Sequence, residues 1–232
     1  MSARLAELEL SDPRALLAPA AELSTARAEA EADPEVWAVL LRATGPEALA
    51  TSRLESAGEP AAEAALTPWA KPLILAVAGE VSGAGLALAG CADVLVATPT
   101  ASFLLAPPEA GGAAREALLR CSTQLPYRMV TALTMAGRPL GAERAHELGF
   151  VNELADEGSL EATVAEWAAA IVAAPPLAAE AIRLAATEGL GKDLATAIGD
   201  RYGAVERYAA SADAAEAVAA LLEGRRPLWR GH

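Results

Sequence analysis

Three short apolar runs frame the chain. Val36-Trp37-Ala38-Val39-Leu40-Leu41, Leu73-Ile74-Leu75-Ala76-Val77-Ala78 and Val94-Leu95-Val96-Ala97 each stop near a breaker, at Gly45-Pro46, Gly79 and Pro99. Runs this short and this apolar predict buried strands. Ahead of them, residues 13–32 are rich in Ala, Leu, Glu and Arg, with Ser11 or Asp12 placed to cap and Pro13 suited to a first turn, which predicts a helix. Residues 52–69 read as a loop and helix, 83–90 as a tightly packed helix of small residues, and 102–106 as one more short strand. Strand, helix and strand over 71–97 make a parallel crossover unit. From about residue 113 the pattern is mostly helical, punctuated by Gly137-Arg138-Pro139, Gly149, Pro175-Pro176 and Gly189. No internal repeat and no long linker interrupts it.

Composition narrows the function. The 232 residues suit one α/β domain, and 53% hydrophobic with only 4% aromatic content means a core of Ala, Leu and Val. A net charge of −13 with no basic run argues against nucleic acid, so any anionic ligand needs a local basic pocket. Two cysteines, Cys91 and Cys121, and two histidines, His146 and His232, are too few for a disulfide scaffold or a typical zinc site. Residues 1–10 already carry Glu7 and Glu9, unlike a secretory leader, and no run of about 18 apolar residues occurs. The expectation is a cytoplasmic protein without a membrane span.

The segment Gly79-Glu80-Val81-Ser82-Gly83-Ala84-Gly85 falls between a predicted strand and helix, where backbone N–H groups can stabilise negative charge. Its glycine spacing is similar to a dinucleotide-binding fingerprint. That fingerprint normally follows a chain's first strand, and none of Tyr127, Tyr202 or Tyr208 is followed four residues on by Lys. A hydrolase nucleophile elbow fails too, because Glu80 holds the place of the glycine before Ser82.

The blocks that surround the turn carry a more specific likeness. Lys71-Pro72, the apolar strand, the glycine turn, the small-residue helix and Cys91-Ala92-Asp93 are followed by Ala136-Gly137-Arg138-Pro139-Leu140. Then come Gly149-Phe150-Val151-Asn152, Ser211-Ala212-Asp213-Ala214-Ala215-Glu216 and Gly224-Arg225-Arg226-Pro227. In this order they resemble the crotonase (enoyl-CoA hydratase/isomerase) superfamily over most of the chain.

The resemblance implies an α/β fold, a spiral of strand-strand-helix turns over 1–170, with a C-terminal helical trimerisation region of the same domain over 171–232. It implies homotrimers or hexamers, and no cofactor beyond a coenzyme A thioester as substrate or ligand. Two backbone N–H groups would grip the thioester oxygen, those of Ala84 and Ser52, each stabilising developing charge by roughly 3 to 4 kcal/mol. The two glutamates of the family's hydratases are replaced by Ala87 and Pro107, which leaves Glu109 as the surviving acid or base, or else a solvated loop carboxylate. Arg53, Lys71, Arg225 and Arg226 are the cations for coenzyme A phosphates, or else ordinary surface charges. Glu80 and Arg115 read as structural, His146 as a surface or interface residue, and the cysteines as small buried hydrophobes. Two functions stay open: enolate chemistry other than two-glutamate hydration, or a silent protein that binds a thioester or assists a partner enzyme.

Overall fold

Residues 4–10, 20–45, 49–50, 69–105 and 112–232 are described by a computed structural model. The apolar runs form strands β2 (Ala38–Ala43), β4 (Leu73–Val77) and β6 (Val94–Ala97). They lie side by side, parallel, with Val39 opposite Leu73 and Ile74 opposite Val94. Both faces of these strands are covered, which is why they show no polar alternation. Val39, Leu41, Leu73, Leu75, Val77 and Leu95 enter one cluster of buried side chains, while Leu40, Ile74, Ala76, Val94 and Val96 enter another.

Strand β1 (Leu5–Glu9) extends this sheet at β2, and β9 (Glu153–Leu154) extends it at β6, giving five strands in the order β1-β2-β4-β6-β9. The acid-bearing β1 was not foreseen. Its Glu7 is compensated by Arg42 on the neighbouring strand at 2.7 Å. A second sheet is built from pieces of two or three residues: β3 (Leu49–Ala50), β5 (Glu80–Ser82), β7 (Ser102–Leu104) and β8 (Leu140–Gly141). Only β7 was expected, and the turn at 79–85 therefore contains a strand.

Among the described residues, two turns of the chain visit the first sheet, then the second, then a helix. In the described residues β4 and β5 lead to α2 (Ala84–Ala89), and β6 and β7 lead to α3 (Gly112–Gln124). Ala114, Ala117 and Cys121 form a buried stripe on α3, which packs on α2. Helix α1 (Ala20–Ala32) precedes β2, and residues 13–19 of the expected helix, with its expected cap at 11 or 12, lie outside the described residues.

Beyond α3 come α4 (Tyr127–Ala136) and α5 (Ala142–Glu147), then α6 (Leu160–Val172), α7 (Pro176–Gly189), α8 (Leu194–Gly199), α9 (Gly203–Ala209) and α10 (Ala212–Glu223). Leu160, Val164 and Ala168 of α6 cover the outer face of the first sheet. The block Gly149-Phe150-Val151-Asn152 ties the spiral shut. Asn152 donates its N–H to the Leu95 carbonyl at 2.9 Å and accepts from Leu95 N at 2.8 Å through its side chain, while Phe150 meets Phe103 edge-on at 5.3 Å. Among the described residues no single helix is long and apolar enough to cross a membrane.

Candidate active site

Strand β5 ends at Ser82, and Gly83 takes φ 53°, ψ −123°, a backbone shape that a side chain would resist. That reversal starts α2 at Ala84. As the first residue of the helix, Ala84 has an N–H with no acceptor inside the helix, while Ala87 N closes the first turn on the Gly83 carbonyl at 3.1 Å. Every residue of α2 is buried, Ala84 at 2% exposure.

The turn stands directly against β3. A Cβ placed on Gly85 would lie 2.3 Å from the Leu49 carbonyl oxygen and 2.7 Å from Leu49 Cβ, so only glycine allows this approach. Strands β3 and β5 are parallel, Leu49 opposite Val81 and Ala50 opposite Ser82, so both chains leave the sheet at the same edge. Ala84 stands two residues beyond Ser82, as Ser52 stands two beyond Ala50 in sequence. Ser52 and Arg53 themselves lie outside the described residues, as do Pro107 and Glu109.

Ala87, where the sequence resemblance leads one to expect a first glutamate, is fully buried on α2. No carboxylate stands there. Glu80 is half-buried on β5 opposite Ser102, in keeping with a strand residue. Among the described residues, no group of three His, Cys, Asp or Glu side chains could hold a metal ion.

The described cations are largely spoken for. Lys71 donates from Nζ to the carbonyls of Ala30 at 2.7 Å and Asp33 at 2.5 Å, which ties the end of α1 to the entry of β4. Burial lowers its pKa, against the pull of Asp33 and Glu31. Arg225 is held by Glu216, at 2.5 Å from Nη1 and 2.9 Å from Nη2, and by Glu223 at 2.5 Å from Nε. The Arg225 hydrogen bonds and the Leu228 N–H bring Glu216 down to about 2. Arg226 is exposed beside this cluster and lines, with Arg225 and Arg230, a hollow of about 550 Å³.

His146 is exposed, with Nδ1 3.0 Å from the Val151 carbonyl oxygen, and Arg115 is exposed on α3. Cys91 and Cys121 form no disulfide, and burial pushes their thiols up to about 11 and about 12.

Several anchoring roles could not be read from the sequence. Asp93 accepts from Leu73 N at 2.8 Å and from Arg183 Nε at 2.7 and 2.8 Å, joining β4, the start of β6 and α7. Asp213, fully buried at the start of α10, accepts from the N–H groups of Arg230 at 2.7 Å and Gly231 at 2.9 Å. Both acids lie in blocks that the sequence singled out, but their partners are up to 90 positions away.

The family model for enoyl-CoA hydratase/isomerase matches residues 2–232. Carnitinyl-CoA dehydratase from Salmonella arizonae is 34% identical over 174 residues, which is 70% of this chain and 64% of the relative. The match thus spans less than two thirds of the curated relative's length. Among solved structures, an enoyl-CoA hydratase/isomerase from Mycobacterium paratuberculosis superposes with a TM-score of 0.85 at 30% identity, covering 100% of this chain and 97% of that one. An enoyl-CoA hydratase from Mycobacterium tuberculosis H37Rv gives 0.82 at 30% identity, with coverage of 99% and 96%.

Proposed function

The chain belongs to the enoyl-CoA hydratase/isomerase family, and on that premise we propose that it holds an acyl-CoA or acyl-carrier thioester and stabilises its enolate. The oxygen would sit between the N–H groups of Ala84 and Ser52. The observation that carries this reading is the placement of Ala84. Its N–H heads a buried helix at the edge where β3 and β5 both end, and Ser52 follows β3 by two residues in sequence. Fixed donors in a dry site stabilise charge as it forms, without having to reorganise.

A base that removes the proton next to the thioester carbonyl sends the electron pair onto the carbonyl oxygen, and the two donors hold the resulting enolate. Glu109 is the carboxylate proposed to take and return that proton. With Ala87 in place of the first glutamate, the reaction is a single-acid one, such as double-bond isomerisation or decarboxylation, and not two-glutamate hydration. The dehydratase name of the Salmonella relative describes that protein. A second reading, binding of a thioester without turnover, draws on the same buried Ala87. Arg53 and Arg226 are the proposed phosphate partners, since Lys71 and Arg225 are engaged within the protein. The proposed assembly is a homotrimer or hexamer.

Proline at a first helical position keeps the helix and deletes the N–H. Ala84→Pro is therefore expected to stay folded by circular dichroism and to lose proton exchange into acyl-CoA thioesters by about 10²- to 10³-fold in deuterated solvent. Glu109→Ala should lose exchange and keep binding. Absence of exchange by the unaltered protein with short and medium thioesters, together with retained binding, would move the assignment to the silent reading.

A further inference from the structure

We propose that Gly85 is a positioning residue: by letting the first turn of α2 rest on the Leu49 carbonyl, it sets the distance between the Ala84 N–H and the end of β3. This rests on the thioester reading above. The two oxygen-binding donors of that reading belong to two elements, α2 and the chain that leaves β3. Strand β3 pairs with β5, which runs through Gly83 into α2, so the placement of Ala84 against the end of β3 depends on how closely α2 can rest on β3, and the Gly85–Leu49 contact sets that approach.

The contact cannot yield cheaply. The atom nearest a Cβ on Gly85 is backbone oxygen, at 2.3 Å, followed by Leu49 Cβ at 2.7 Å and Leu49 C at 3.0 Å. Leu49 is 1% exposed and pairs with Val81, so its carbonyl cannot swing aside as a side-chain tip would. Gly90, at the other end of α2, differs. A Cβ there meets Arg120 Cβ at 3.0 Å and Cδ at 3.3 Å, side-chain atoms that need give by only a few tenths of an ångström. In a close-packed interior, an alanine at 85 must force α2 and β3 apart by roughly 1 Å. Misplacement of that size costs about a hundredfold in a chemistry that depends on alignment.

Acetoacetyl-CoA reads this spacing without a catalytic carboxylate. Its C2 proton passes to solvent, the C–H electron pair moves onto the oxygen, and the enolate absorbs in the near ultraviolet. Titration of the bound probe gives its ionisation midpoint, which donors on the oxygen lower. The unaltered protein is expected to lower it. Gly85→Ala should move it back by about two pH units, the equivalent of a hundredfold, with free coenzyme A binding retained. Gly90→Ala, an equally buried-helix substitution, should leave the midpoint in place even if it lowers Tm.

A Gly85→Ala protein with the unaltered midpoint overturns the proposal. No lowering by the unaltered protein, matched by Ala84→Pro, overturns the thioester reading and this proposal with it. If Gly85→Ala does not fold, a crystal structure of the unaltered protein with acetoacetyl-CoA decides. The thioester oxygen on Ala84 N with the Gly85–Leu49 contact closed supports the role, and α2 lifted off Leu49 contradicts it.

Discussion

Burial, against the pull of nearby arginines at Cys91 and unopposed at Cys121, holds these thiols at about 11 and about 12, above the 9.0 of an open thiol. Neither is a thiolate at neutral pH, so neither is a nucleophile. The same shift fixes a sign. Below pH 9 both states keep their protons, and above it the unfolded chain gives them up first. Stability should therefore fall from about pH 9 upward, by about 1.4 kcal/mol per pH unit for each thiol, until the folded thiols ionise as well. Urea melts at pH 8, 9 and 10 check this, and a Cys91→Ala, Cys121→Ala chain should show a flatter decline. Single residues were unevenly legible in the sequence. Ala87 draws notice because its neighbours resemble a family pattern in which a glutamate is expected there, whereas the reason for Gly85 is invisible in the sequence, since it is a carbonyl 36 positions upstream.

At the scale of elements, β2, β4 and β6 were legible because strands covered on both faces must be apolar throughout. Strands β3, β5, β8 and β9 were not. With two or three residues each they carry no periodicity, and they exist because the spiral brings a partner alongside. Strand β1 hid behind Glu7, which pairs across the sheet with Arg42, and Glu9, which is exposed. The same holds for the Asp93–Arg183 pair, which joins two blocks no local pattern connects. Its sides are unequal: the arginine side chain is 8% exposed and the aspartate 32%. Removing the aspartate strands a buried guanidinium, while removing the arginine leaves a carboxylate that still accepts from Leu73 and meets water. Asp93→Ala is thus expected to cost about 3 kcal/mol or more, and Arg183→Ala less. Denaturant midpoints rank the two, and the reverse order would show that the aspartate is the more buried charge.

For the whole molecule, the helical third leaves much apolar surface open. Ile182, Leu190, Leu194, Ile198, Leu221 and Leu222 are 65 to 82% exposed. A surface of that kind calls for cover, in line with the proposed homotrimer. Leu221→Glu with Leu222→Glu is expected to give a folded but dissociated chain in sedimentation velocity, and a monomeric unaltered protein would sink the idea. The parallel sheet carries a different consequence, one of time. Leu5 meets Ala38, Val39 meets Leu73, and Val96 meets Glu153, so each rung of the ladder closes a loop of tens of residues before it gains anything. Chains with such distant partners fold slowly. Until Asn152 reaches Leu95, the edge of β6 stands open to any other strand nearby. The hazard for this protein lies in the interval of winding, when a neighbouring half-wound copy can pair with that edge first.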